Sequence, residues 1–384
     1  MSNIKLFADD TSLYIEVDDP DVAVETLNLD LNMVQTWANQ WLVKFSPTKT
    51  KLLTCSYRPK PHPDIKFADV TLADVECHKH LGLTLSKNLS WTSHISNIIK
   101  SVAPMADVLK GLKYEIDRKS LETIYFSFIR PKLEYGAHIW DNCSKNDSEM
   151  LEKFQLDMAR IVSGARKGTS HELLYQEVNW PKLSERRSWT KLAMFAHIAN
   201  HEAPEYLHTL LPSKIGDSRP ESRYSENYNL IKTRTETFKR SFIPSSIQLW
   251  NKLSIGDRNA DHCKQMMKKE ANLLFYHGAR SENIKHAQLR MQCSKLNSDL
   301  FMLHVIDSPE CPCGNNVEDA NHYLLHCPLF HIARQKMLYT LNNVLNINHV
   351  GYKLLLFGSD TYDLNTNKAV FEAVHDFISE SGRL

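Results

Sequence analysis

The sequence predicts an α+β protein. A β-hairpin, a long helix and short strands come first, an all-helical region follows, and a small segment rich in Cys and His comes near the end. Three observations predict it. Ile4, Leu6 and Ala8, then Leu13, Ile15 and Val17, alternate with polar neighbours, the period of half-buried strands. From Trp91 to about Glu202 apolar residues recur at helical spacing. Within "CPCGNNVEDANHYLLHC" three cysteines crowd together while the other five lie far apart.

In "KLFADDTSLYIEV" the acids Asp9 and Asp10 fall between the two alternating runs, at the tip of the hairpin. Asp19 followed by Pro20 starts a helix: a capping carboxylate, then a proline where no N–H is needed. Val24, Leu27, Leu31, Val34, Ala38 and Trp41 continue it as one apolar stripe, and Pro47 closes the region. Strand-like runs follow in "KLLTCSY", "IKFADVTLADVEC" and "HLGLTLS".

Three helical stripes come next. Ile95, Ile98, Ile99, Val102, Met105 and Leu109 form the first, with Pro104 inside it. Leu121, Ile124, Tyr125, Phe128 and Ile129 form the second. Leu151, Phe154, Met158, Ile161 and Val162 form the third, ended by Gly164. All three read as core faces. Residues 213–230 read as an exposed loop or linker. Between Ser213 and Lys252 eight Lys or Arg stand against four Asp or Glu, with Tyr224, Tyr228, Phe238 and Phe242 interleaved. That basic stretch suits either a solvated loop or a nucleic-acid contact.

Composition narrows the class. The 384 residues suit two or three domains, and 42% hydrophobic with 24% charged residues is ordinary for a globular chain. A formal net charge of +1 leaves any basic surface local. No apolar run approaches the ~20 residues of a membrane span, and none resembles a secretory signal. Cys55, Cys77, Cys143, Cys263 and Cys293 have no close Cys neighbour, which suits a reducing intracellular setting, cytoplasm or nucleus, rather than a disulfide framework. "HELLY" at His171 lacks the second His of a zinc protease helix, and "GARKGTS" at Gly164 lacks the Lys-Ser/Thr pair of a phosphate loop. No dinucleotide fingerprint appears, so no small-molecule cofactor is expected.

Two constellations carry chemistry. Adjacent carboxylates at a hairpin tip repel each other unless a cation removes the repulsion. Mg²⁺ prefers one or two carboxylates plus phosphates and water, and paired ions about 3.5–4 Å apart clamp a phosphoryl transfer. A plain Asx turn explains Asp9 and Asp10 equally well from these residues alone. The second constellation is Cys311, Cys313, His322 and Cys327, spaced C-x-C-x8-H-x4-C. Three thiolates and one imidazole suit tetrahedral zinc. His326 competes with His322, and the H-x4-C spacing favours His322. So small a segment is expected to have almost no apolar core, so that metal would supply much of its folding free energy.

Several ordered blocks resemble a known family. "LFADDTSLYI", "WLVKFSPTKTKLL" and "HKHLGLTLSKNLSWTSHI" resemble the second half of the catalytic palm of a reverse transcriptase, of the non-LTR (LINE or jockey) retrotransposon type. "FIRPKLEYGAHIW" and "LEKFQLDMARIVSGARKGTSHELL" resemble its helical thumb, and "RSFIPSSIQLWNKL" the tails of such elements. The resemblance implies that Asp9 and Asp10 bind catalytic Mg²⁺, that Lys49 assists pyrophosphate departure, and that His80 to Gly82 belong to the primer grip. It implies an RNA template and a DNA target or primer as partners. A Cys-Cys-His-Cys cluster followed by "CP" and an Arg, here Cys327-Pro328 and Arg334, is a family feature and strengthens the zinc reading.

In these terms residues 1–88 are the end of a palm, 89–212 a thumb-like region, 213–285 a basic connector, 286–345 the zinc-knuckle region and 346–384 a tail. The family has a third metal-binding aspartate and fingers before the hairpin, whereas only eight residues precede Asp9. Asp69 and Asp74 are not expected to replace that aspartate. The expectation is therefore a fragment of an RNA-directed DNA polymerase. The alternative is a truncated, catalytically dead product that retains only nucleic-acid and zinc binding.

Overall fold

The computed structural model describes residues 1–56, 61–268, 272–346 and 349–384. The chain divides into two units, residues 1–97 and 98–384.

The first unit opens with strands β1 (Asn3–Phe7) and β2 (Asp10–Tyr14), antiparallel with Phe7 opposite Asp10. Helix α1 (Pro20–Gln40) follows, its N-cap Asp19 accepting from the Asp21 N–H at 3.0 Å. Strands β3 (Lys51–Leu52), β4 (Lys66–Phe67), β5 (Val70–Thr71), β6 (Ala73–Asp74), β7 (Cys77–His80) and β8 (Leu83–Ser86) complete the unit. They pair as β1–β2, β3–β6, β4–β5 and β7–β8, four two-stranded sheets. The run 65–77 is cut into short strands because Ala68 and Asp69 both adopt positive φ, 45° and 61°, and turn the chain back. Tyr57, the end of another strand-like run, lies outside the described residues.

Helix α1 packs Val24 and Leu31 against Ile65, Phe67 and Leu72, with Leu13, Leu27 and Val34 at the margin. Burying a side chain such as Leu31 contributes about 1.5–3 kcal/mol. Trp41 does not join this stripe: it is 67% exposed, because α1 ends at Gln40 and Trp41 caps it.

Helix α2 (Thr92–Leu112) crosses the division and continues through Pro104. The second unit then carries α3 (Arg118–Ile124), a π-helical turn at Tyr125–Ile129, α4 (Arg130–Glu134), α5 (Ala137–Trp140) and α6 (Lys145–Ser163). The π turn corrects the second stripe. The Arg130 N–H reaches back to the Tyr125 carbonyl, and Pro131 has no N–H to resume the tighter ladder at once. The extra residue rotates Phe128 outward to 55% exposure while Leu121, Tyr125 and Ile129 stay buried. Gly164 ends α6 at φ 76°, and a Cβ there would meet Ile284 at 2.6 Å.

Helices α7 (His171–Val178), α8 (Leu183–Ala199) and the single turn α9 (Glu205–His208) follow. Residues 213–230 are irregular apart from a short 3-10 turn, and are tied by a bridge between Lys214 and Tyr228. Helices α10 (Glu236–Arg240), α11 (Phe242–Trp250) and α12 (Ala260–Met266) come next. The basic stretch is more than a connector: Tyr228, Ile247, Trp250 and Cys263 are buried with Leu192, Phe195 and Ala196 of α8. Its exposed aromatics are Tyr224 and Phe238.

The remaining helices are α13 (Arg280–Arg290), α14 (Asn297–Met302), α15 (His331–Leu345), α16 (Tyr352–Phe357) and α17 (Leu364–Ser381). Val370, Phe371, Val374, Phe377 and Ile378 of α17 share a core with Met337 and Leu341 of α15 and with Tyr323 and Leu324. The last segment is thus an integral wall of this unit. No described helix is long and apolar enough to cross a membrane.

Candidate functional site

Hairpin β1–β2 turns through Ala8 and Asp9, with Ala8 at φ 51°. Asp9 lies in the turn and Asp10 opens β2, and both are exposed. Neither carboxylate is in an ion pair among the described residues. Two hard oxygen donors without a cationic partner fit a divalent cation chemically. The hairpin also meets the "HLG" segment: Ser12 Oγ lies 3.3 Å from His80 Nε2. Between β7 and β8 the chain reverses at Leu81 and Gly82, φ 46° and 83°, a turn whose twist matches its strands.

Lys49 sits on an exposed turn after α1, where its backbone N–H donates to the Ser46 carbonyl at 3.1 Å. It forms no ion pair with Asp9 or Asp10 among the described residues. Asp74 is engaged elsewhere, 2.8 Å from Lys87 and 3.6 Å from His62. Asp69 occupies the β4–β5 turn. Among the described residues no third His, Cys, Asp or Glu joins Asp9 and Asp10 at ligand spacing.

The Cys/His constellation is built differently. Cys311 and Cys313 sit on a tight turn closed by two bonds, Gly314 N–H to the Cys311 carbonyl and Cys311 N–H to the Asn315 carbonyl, both 2.9 Å. Gly314 takes φ 92°, which a residue with a Cβ adopts rarely. His322 and Cys327 come from one π-helical turn, His322–His326, started by Asp319, whose Oδ1 accepts from the His322 N–H at 2.7 Å. The Cys327 N–H bonds to the His322 carbonyl at 2.7 Å, five residues back. That width matters. Residues five apart on an α-helix diverge by roughly 140°, whereas one π turn brings His322 and Cys327 to the same side. His326, on that same turn, is exposed and stands outside the cluster.

The four donor atoms lie within 4.8 Å of one another. Cys311 Sγ and Cys327 Sγ are 3.7 Å apart, and Cys313 Sγ is 3.3 Å from His322 Nε2. Around tetrahedral zinc two thiolates would stand about 3.8 Å apart, and a thiolate and an imidazole about 3.6 Å. The donor set therefore fits zinc in chemistry and in size. Burial pushes the Cys311 thiol up to about 12 and raises Cys327 as well. Desolvation acts the same way on Cys313, but the Asn315 backbone N–H and the neighbouring thiols outweigh it and hold that thiol below its ordinary value.

The frame around the cluster is polar and buried. Arg334 Nε donates to the Leu324 carbonyl at 2.9 Å, and its Nη2 to the Cys327 carbonyl at 2.7 Å. These bonds satisfy carbonyls that the end of the π turn leaves open. Glu318 receives Arg383 and the Asn297 N–H, which anchors the loop before the turn. The cluster is not a core-less knuckle, because Tyr323 and Leu324 of its own turn are buried in the α15–α17 core.

A second group, His201, Glu205 and His208, also brings three potential metal donors within 4.8 Å. Sequence reasoning passed over it, although the signal, H-x3-E-x2-H, is legible.

Comparison with known proteins gives the family context. No family model matches the chain. It is 25% identical over 186 residues to the RNA-directed DNA polymerase from mobile element jockey of Drosophila melanogaster, covering 48% of this chain and 20% of that protein. It is 20% identical over 194 residues to the probable RNA-directed DNA polymerase from transposon X-element of the same organism, covering 49% and 20%. The homologues are non-LTR retrotransposon polymerases. A 115 kDa protein in type-1 retrotransposable element R1DM matches over 336 residues at 21% identity, covering 85% of this chain. The chain thus spans about a fifth of the jockey and X-element proteins and 31% of the R1DM protein.

Proposed function

We propose that this chain is part of an RNA-directed DNA polymerase of a non-LTR retrotransposon, with an RNA template and a DNA primer or target as partners. Residues 1–88 contribute the end of its palm and 89–212 its thumb. The observation that carries this reading is the exposed pair Asp9 and Asp10 at the tip of β1–β2, without an ion-pair partner among the described residues, in a chain similar to the jockey polymerase.

In this reading Asp9 and Asp10 would hold Mg²⁺, and the bound ion would supply charge neutralisation at phosphate oxygens. Asp10, fixed at the start of β2, sets the direction of the donors, and Asp9 reaches from the turn. Lys49 offers a cation to the departing pyrophosphate. His80 and Gly82, on the adjoining hairpin, support the primer strand. Cys311, Cys313, His322 and Cys327 hold one structural zinc, closed by four protein ligands with no position left for chemistry. That centre stiffens a surface that handles nucleic acid.

A second reading, binding without catalysis, draws support from one observation: Asp9 and Asp10 have no third ligand among the described residues. Positioning supplies much of the rate of phosphoryl transfer, so two donors alone would leave it unmet. Primer extension on an RNA template with Mg²⁺ separates the two readings. Product that disappears in the Asp9→Asn, Asp10→Asn double variant supports the polymerase. Absence of product with retained primer-template binding supports binding alone.

A further inference from the structure

The geometry points to a second metal site in this protein, formed by His201, Glu205 and His208, for a first-row divalent cation that prefers imidazole and carboxylate donors.

The local fold assembles the three residues. Helix α8 ends at Ala199, and His201 takes a left-handed conformation, φ 59°, as the chain leaves it. Pro204 then starts α9, whose single turn carries Glu205 and His208 three residues apart on one side. The reversal at His201 brings its ring over that turn. The two imidazoles stack with centroids 3.6 Å apart and planes 27° apart.

Both rings aim the same atom at the same carboxylate. His201 Nδ1 lies 3.3 Å from Glu205 Oε2, and His208 Nδ1 lies 3.9 Å from Glu205 Oε1. The first is a long hydrogen bond, and the second is too long to be one. The trio is therefore not closed on itself. Donors about 2.0–2.2 Å from a tetrahedral cation stand about 3.3–3.6 Å apart, so the two histidine–carboxylate distances already lie within a few tenths of an ångström of that spacing, and binding requires the stacked rings to open so that both Nδ1 atoms face the ion.

The neighbouring charges leave the trio available. Glu202, the other nearby carboxylate, is taken by His197 at 2.6 Å. A cation bound to both rings would also take the Glu205 carboxylate that neither ring holds at short range. Two imidazoles and one carboxylate suit zinc, nickel, cobalt or copper rather than magnesium or calcium. Partial exposure of all three side chains leaves the remaining coordination positions to water. The metal would fasten the end of α8 to α9. The site is independent of the Cys311 cluster in position and in ligand softness.

The test is calorimetric titration of Ni²⁺ into the full chain carrying no polyhistidine tag. Parallel titrations use His201→Ala/His208→Ala, Glu205→Gln and Cys313→Ser. One nickel event is expected in the parent that survives in Cys313→Ser. It should weaken by about 10–100-fold or more in Glu205→Gln and vanish in the double histidine variant. All three side chains lie outside the apolar core, so the variants retain the fold. A parent that binds no nickel, or an event unchanged by the double substitution, overturns the site.

Discussion

The sulfurs of Cys311 and Cys327 lie 3.7 Å apart although the two residues are sixteen positions apart in the sequence. A tight turn supplies one and a π turn the other, and both cysteines are free thiols. Zinc content follows from this convergence. Native mass spectrometry is expected to find one zinc per chain, and far less in Cys313→Ser. Equal zinc in both would return the segment to an ordinary loop.

The buried frame sets what losing that zinc does. Tyr323 and Leu324 keep their apolar contacts with α15 and α17 without any metal. Chelation is expected to raise amide exchange at Gly314 and Cys311, whose N–H bonds close the first turn, while α17 stays protected. Loss of protection throughout α17 would show that metal rather than the core holds the region.

Much of this arrangement was legible in the sequence. Alternation marked the hairpin but not its burial or its end, since β1 is exposed throughout and β2 stops at Tyr14, before Ile15 and Val17; Asp19-Pro20 marked the start of α1, and C-x-C-x8-H-x4-C marked the four cysteine and histidine donors. What escaped depends on backbone detail or distance. Helical spacing places Phe128 in the core, because α-helical periodicity does not foresee the π turn ahead of Pro131. The strand-like run from Ile65 was cut by the turn at Ala68 and Asp69. Val370, Phe371, Val374, Phe377 and Ile378 had helical spacing, yet their position near the end suggested a tail. His201, Glu205 and His208 meet only because His201 is left-handed. Arg118, Glu177 and Arg290 join across 59 and 113 residues, which no local pattern shows.

That ion network gives a stability prediction. Glu177 is fully buried, 2.6 Å from Arg118 Nη1 and 2.8 Å from Arg290 Nε. Burial alone would raise its pKa, but Arg290 and Arg118 outweigh it and hold the carboxyl below its usual range. Glu177→Gln removes the anion that Arg290 and Arg118 share, leaving Arg118 with Glu122 alone, and is expected to destabilise the protein by about 3–5 kcal/mol. Denaturant unfolding measures this, and a loss under about 1 kcal/mol would show that the network relaxes.

A pair of histidines gives a pH prediction. His375 Nε2 lies 3.1 Å from His286 Nδ1, and Gly278 leaves room for the His375 ring. Burial first, then the charges of His277 and Arg290, lower His375 from 6.5 to about 4. Burial and Arg290 also lower His286. The unfolded chain binds these protons more readily, so stability is full above about pH 6.5 and is lost as pH falls toward 4. His375 alone accounts for about 3 kcal/mol over that window. Unfolding midpoints at pH 7 and pH 5 should differ in the parent and differ less in His375→Gln.

The claim common to both functional readings is that this chain holds nucleic acid. Fluorescence anisotropy of a labelled RNA–DNA primer-template, titrated with the full zinc-loaded chain, tests it most directly. Saturable binding that weakens as salt rises is expected, because Arg219, Arg223 and Arg234 are exposed and Arg223 lies over the Tyr224 ring at 4.6 Å. The account also predicts weaker binding when those three arginines are replaced by alanine. No binding at low salt, by a chain shown to be folded and zinc-loaded, would contradict it.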